Sequence, residues 1–283
     1  MTFTLDDGYG NAAVNIRGAA TLELLHHVNP LYTLSGLAVG CLVGLTGVGG
    51  GSLMTPLLVL VFGIHPSTAV GTDLLYAAAT KTVGTGVHGF KRTVQWSIVA
   101  RLAAGSMPAT AITLWILSQH AKQGAAANGL ITITLGWARI VSAISVLFRN
   151  AIVKFFATKT KALSAAQTMC LTILLGAVLG VLVSLTSVGA GALGMTVLLV
   201  LYPKMDVAKL VGSDIAHAVP LTLLAGLGHW MMGSVNWQLL VSLLTGSVPG
   251  IIIGSLLAAR MPDGVLRPIL AGTLALVGGK LLT

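Results

Sequence analysis

Gly36-Leu-Ala-Val-Gly40-Cys-Leu-Val-Gly-Leu-Thr46-Gly-Val-Gly-Gly-Gly51 returns, altered, as Gly176-Ala-Val-Leu-Gly180-Val-Leu-Val-Ser-Leu-Thr186-Ser-Val-Gly-Ala-Gly191. At a spacing of 140, Gly36, Gly40, Thr46, Val48, Gly49 and Gly51 meet identical residues. One inserted residue makes the spacing 141, and then Asp73 meets Asp214, His88 meets His229 and Trp96 meets Trp237. Gly105-Ser106 with Pro108 likewise meets Gly246-Ser247 with Pro249. An apolar half written twice, and broken at the same glycine-rich place, is a common build for membrane transporters.

Composition points to lipid as the solvent. The chain of 283 residues is 55% hydrophobic and 8% charged, where a soluble domain has roughly 25% charged residues. Its mean hydropathy is +0.93. The net charge of +9 is spread between apolar segments, without interleaved aromatics. It therefore reads as a topology signal rather than a nucleic-acid surface. Cys41 and Cys170 are not repeat equivalents, and no disulfide is expected between them. Residues 1–29 lack a basic region followed by an apolar run, so no cleavable signal is expected.

The chain divides into a polar tail (1–29), a first repeat (30–148), a basic linker (149–166) and a second repeat (167–283). Apolar segments run at about 30–48, 51–63, 67–88, 95–118 and 126–148, then at 167–187, 191–203, 207–230, 237–258 and 265–282. Most have the roughly 20 residues that cross a bilayer. Segments 51–63 and 191–203 have only about thirteen, and each follows a glycine break. The linker carries Arg149, Lys154, Lys159 and Lys161 and no acid, which places it in the cytoplasm. Alternate crossings then put Lys91, Arg92, Lys204, Lys209, Arg260 and Arg267 on the same side and the N-terminal tail outside. Each half holds an odd number of crossings, so the second half is inverted. The expectation is an all-α polytopic membrane protein of two inverted repeats. It has about 8–10 transmembrane segments, and the glycine breaks meet near the midplane.

Thr46-Gly-Val-Gly-Gly-Gly-Ser-Leu-Met-Thr-Pro56, then Ala69-Val-Gly71-Thr-Asp73 and His88, resembles the TauE/SafE family, also called the toluene sulfonate uptake permease family. The resemblance covers about residues 30–282. It implies a transporter of sulfite, sulfonates or related organosulfur anions, often an exporter, in the bacterial inner membrane. The second copy departs from the pattern, with Ser187 for Gly47, Ala190 for Gly50 and Thr196 for Pro56.

The breaks themselves have suitable chemistry. Glycines let a ligand approach the backbone closely. The first amides of the following helix have no internal partners, and its dipole is positive there. Such an end binds oxyanions. Thr46, Gly49, Gly50, Gly51 and Ser52 from one half, and Thr186, Gly189 and Gly191 from the other, are the candidate substrate-binding set. The competing reading is close helix packing at small residues.

Ionisable residues inside spans are costly and mark function or pairing. Lys81 and Arg139 are the candidate cations for a small anionic substrate. Asp73 and Asp214 either bond amides at the opposite half's break or carry coupled protons. His88 and His229 read as interfacial histidines, Trp96 and Trp237 as an aromatic belt, and Arg101 as snorkelling to the cytoplasmic interface. Pro108 and Pro249 are expected to bend their spans. No metal motif, Walker loop or nucleophile–base set is visible, so neither cofactor nor enzyme activity is expected. The alternatives left open are a permease for another solute class, a cation or amino acid, and an intramembrane enzyme.

Overall fold

Pro30 and Pro66 open helices at the position where a missing N–H costs nothing, and Gly63 and Gly233 take positive φ in two of the loops between helices. The computed structural model describes residues 29–46, 51–90, 94–121, 137, 164–188, 191 and 193–258. Among these, all regular structure is helical. The first half supplies α1 (Pro30–Thr46), α2 (Gly51–Leu60), α3 (Pro66–Phe90) and α4 (Trp96–Ala121). The second supplies α5 (Ala165–Thr186), α6 (Leu193–Leu201), α7 (Val207–Met231) and α8 (Trp237–Ala258). These follow eight of the expected apolar segments. The other two, 126–148 and 265–282, lie outside the described residues apart from Trp137, which is helical and exposed.

Local signals set the ends. Ser164 caps α5 in a capping box with Gln167. Asn29 Oδ1 accepts from the Leu31 N–H at the start of α1. Ser187 takes a left-handed conformation (φ 56) and ends α5, and Gly191 (φ 106) carries the chain on toward α6. Two changes of direction in five residues leave α6 with 9 residues, and α2 has 10. At 1.5 Å per residue these are only about 14 and 15 Å long, half of a ~30 Å hydrocarbon layer. Neither crosses a membrane alone, and α4, α5 and α7 are each long and apolar enough to do so.

The halves are interlocked through glycines. A Cβ on Gly36 would overlap the Leu243 carbonyl, and one on Gly176 would overlap that of Leu102. Gly40 abuts Ser247 while Gly180 abuts Ser106, and Gly105 abuts Ile173 while Gly246 abuts Thr33. Every one of these contacts in α1–α8 has its repeat equivalent in α5–α4. The register rises together along each pair, so α1 runs parallel to α8, and α5 to α4. At the centre α3 packs against α7. There Gly71 meets His229 and Leu75 meets Gly226. As one index rises the other falls, so these two equivalent helices run antiparallel.

The core is doubled in the same way. Val39, Met54, Ala69, Leu239 and Leu243 fill one cluster. Their equivalents Leu179, Met195, Leu210, Ile98 and Leu102 fill the other. The outside is apolar too: Leu34, Ile112, Trp115, Leu174, Val178 and Ile252 are all exposed. A continuous surface of this kind needs lipid around it. Trp96 and Trp237 begin α4 and α8 and are more than half exposed, at 66% and 51%. Cys41 and Cys170 are free thiols, and Cys170 is exposed rather than tucked into the interior.

Two opposite ends can be recognised. At one, the starts of α4, α5 and α7 gather, with the Gln95 N–H bonded to Ser213 Oγ at 2.8 Å. At the other, the equivalent bond joins the Asn236 N–H to Thr72 Oγ1 at 3.1 Å. There the Asn29 N–H also reaches Ser242 Oγ at 3.2 Å.

Candidate functional site

Helices α3 and α7 bring a polar cluster to the middle of an otherwise apolar bundle. Asp73 lies on α3 and is fully buried. Its Oδ2 accepts from the Thr55 N–H of α2 at 3.2 Å and from the Thr55 hydroxyl. That amide belongs to α2 of its own half. The reason is length: α2 turns back at Gly63 and lies directly against α3. Asp214 has the equivalent place on α7. A Cβ added to Gly194 of α6 would sit 2.6 Å from its Oδ1. Each short helix thus lies under a carboxylate from the long helix that follows it.

Replacing Thr55 by valine keeps the shape and removes the hydroxyl donor. A hydrogen bond to a carboxylate inside a membrane protein is worth about 1–2 kcal/mol. Thr55→Val is expected to lower the unfolding midpoint in detergent accordingly, as followed by circular dichroism. Thr55→Ser should behave as wild type.

Lys81 lies two turns along α3 from Asp73 and is 9% exposed. Its ammonium interacts electrostatically with Asp214 foremost, and with Asp73. A cation of the first half therefore feels carboxylates from both halves. His217 of α7 also feels the Lys81 charge. His217 Nε2 is hydrogen-bonded to Ser106 Oγ of α4 at 2.8 Å, and its Nδ1 has no partner. The repeat equivalent of this pair is Tyr76 of α3 with Ser247 of α8. Tyr76 faces Ser247. Matching cross-half positions are thus occupied in both halves. Both serines sit two residues before Pro108 and Pro249, which lie within α4 and α8 and remove one ladder bond each.

The sequence reading missed His217, Tyr76, Ser106 and Ser247. His217 lies three residues after Asp214, on the same helix face, and is ionisable in mid-span. That signal was available. The Tyr76–His217 equivalence was hidden because the residue types differ.

The remaining candidates fall as follows. The Thr186 hydroxyl donates to the Leu182 carbonyl at 2.6 Å and accepts from the Val188 N–H at 3.1 Å. It therefore shapes the second break. Gly191 lies in that break with positive φ. Gly51 begins α2. Gly49, Gly50, Arg139 and Gly189 lie outside the described residues, as do the side chains of Thr46, Ser52 and His88. His229 is fully buried and its Nε2–H donates to the Ser184 carbonyl of α5 at 2.9 Å. There α7 packs on α3, with Gly71 against the His229 Cβ. Arg101 is half-buried, with Nη1 donating to Tyr202 Oη at 3.2 Å. Among the described residues no cluster of His, Cys, Asp or Glu has a metal-binding arrangement.

Residues 32–281 match the family described as sulfite exporter TauE/SafE. The chain is 40% identical over 250 residues to YjnA, a "Probable membrane transporter protein" of Bacillus subtilis (strain 168). That match covers 88% of this chain and 98% of the relative. A second Bacillus subtilis (strain 168) protein of the same description, YdhB, is 30% identical over 251 residues, 86% of this chain and 96% of its own. A "Probable membrane transporter protein" of Xylella fastidiosa (strain Temecula1 / ATCC 700964) is 27% identical over 237 residues, 80% of this chain and 84% of its own. No solved structure matches the chain.

Proposed function

Because this chain belongs to the sulfite exporter TauE/SafE family of membrane transporters, we propose that it carries sulfite or a small sulfonate out of the cytoplasm by alternating access. The observation that carries the reading is Lys81, a buried cation set between the two halves and interacting with a carboxylate from each. A buried ammonium is costly unless paired. Of its partners, Asp73 holds Thr55, and Asp214 of α7 lies against Gly194 of α6. An arriving oxyanion competes for the ammonium without stripping either carboxylate of its support. Sulfite offers three oxygens to such a site. The N-terminal ends of α2 and α6, at the glycine breaks of residues 46–51 and 186–191, supply further donors. Thr46, Gly49, Gly50, Gly51, Ser52, Gly189 and Gly191 are proposed for that role through backbone amides and the serine hydroxyl, and Arg139 as a second cation.

The antiparallel packing of α3 on α7 and the reciprocal glycine contacts support two halves inverted about an axis in the membrane plane. Inverted halves exchange conformations, which opens the site to each side in turn. The basic end, with Lys204 and Lys209, is assigned to the cytoplasm.

A second reading rests on one observation. Two carboxylates stand against one ammonium, and a cation or an amino acid would also find partners there. Flux measured in proteoliposomes separates the two. Sulfite should move against a chloride background, with methanesulfonate competing. Sodium or amino-acid flux without sulfite flux would replace the present reading.

A further inference from the structure

Away from the central cluster, a cleft of about 570 Å³ opens at the basic end of the bundle. Arg101 of α4, Lys204 and Lys209 line it, with Tyr202 and the first residue of α5, Ala165. Asp206 is the acid in this wall, and it lies 3.9 Å from Lys209. The cleft is therefore net positive. Its polar floor is built rather than incidental. The Arg101 guanidinium donates to Tyr202 Oη, and that oxygen is hydrogen-bonded in turn to Thr172 Oγ1 of α5 at 2.8 Å. The Tyr202 hydroxyl thus engages the guanidinium, which lines the cleft. The start of α7 also reaches this cleft, and its N-cap Asp206 makes no side-chain capping bond.

The repeat supplies an internal control. The same corner is built at the opposite end of the molecule, with the same interlocking of helices. There Arg101 becomes Ser242, Tyr202 becomes Val61, Lys204 becomes Gly63, Asp206 becomes His65 and Lys209 becomes Thr68. The corner folds without one lysine or arginine at those positions. Packing alone does not call for the cations at the basic end.

We infer that this cleft is a second anion site, an outer vestibule that collects small oxyanions before they reach Lys81. A half-open basic cleft concentrates anions and raises their arrival rate, and salt weakens the effect. The inference rests on the transporter reading for its sidedness, but the site itself is testable without transport. A lipid phosphate has the same headgroup chemistry, so the tests include it.

The first test needs no flux. Acetylation of Lys204 and Lys209 is followed by mass spectrometry in purified protein, with sulfate as the probe because it does not consume the reagent. Sulfate should slow both reactions severalfold compared with chloride at equal ionic strength. Arg101→Gln should remove the protection. Protection by phosphatidylglycerol but not by sulfate would overturn the proposal in favour of a lipid site, and protection by neither would overturn it altogether.

The second test measures sulfite flux from each face of oriented vesicles. Arg101→Gln with Lys204→Gln and Lys209→Gln should raise KM from the basic face roughly tenfold at low ionic strength, with turnover moving far less, and the gap should close in high salt. An equal change from both faces, or none, would overturn the vestibule. Absence of sulfite flux in wild type, with sulfate protection intact, would instead count against the transported substrate.

Discussion

Gly105→Leu is expected to pull the two halves apart. Even a Cβ at this position would overlap the Ile173 carbonyl and crowd the Ala177 amide. Both are backbone atoms of α5, so no side chain can rotate away. The helices would have to separate, and the α4–α5 seam is one of the two that interlock the halves. Overpacking a tight interior costs about 1–3 kcal/mol, and more when backbone must move. A leucine should take the protein beyond that range. The prediction is loss of the folded monodisperse species after detergent extraction. Gly105→Ala should fold with a midpoint clearly below wild type. Its equivalent, Gly246→Ala, should cost about the same, because it meets the Thr33 carbonyl in the same way. Ala104, next along α4 but exposed, provides the control. Ala104→Leu should leave the midpoint within about 0.5 kcal/mol, as surface changes usually do.

The second large effect is expected at Lys81. Methionine retains the length and loses the charge. Removing one partner of a buried charge pair costs about 2–5 kcal/mol. Lys81→Met should therefore lower sulfite flux on the order of a hundredfold or more. Stability must be separated from transport, because the variant also leaves Asp73 and Asp214 without their cation. Adding Asp214→Asn removes one uncompensated carboxylate. The double variant should recover stability lost by Lys81→Met and recover no flux. Recovery of flux together with stability would mean that Lys81 only neutralises the acids. In that case the substrate is held elsewhere, with Arg139 the next candidate.

Much of this architecture could be read from the sequence. Helix limits follow from hydropathy punctuated by Pro30, Pro66, Gly63 and Gly233, all local signals with local consequences. The break after Thr186 was visible as glycine and serine replacing apolar residues, and Ser187 and Gly191 do carry the positive φ angles there. The short helices were legible as short, though the turns at the second break and at Gly63 shorten them further than the apolar run implies. What could not be read is which helix meets which. The pairing of α1 with α8 and α5 with α4 depends on glycine faces matching across about 200 and 70 residues of chain. No local pattern encodes that. For the same reason the Thr55 amide that Asp73 accepts and the bond from His229 to α5 were not legible. The polar partners His217 and Tyr76 escaped because identity at the repeat spacing was the guide, and these positions are equivalent in place but not in chemistry. Lys81 has the same character: its equivalent is Thr222, so the cation is present in one half only.

The central proposal is that a negatively charged sulfur solute is held at the junction of the halves by the Lys81 ammonium. Equilibrium binding of radiolabelled sulfite to purified protein, wild type against Lys81→Met, tests it most directly. The expected result is saturable binding by wild type that methanesulfonate displaces and sodium salts of unrelated anions do not, with no saturable binding by a folded Lys81→Met protein. Saturable sulfite binding of undiminished affinity in that variant would contradict the account.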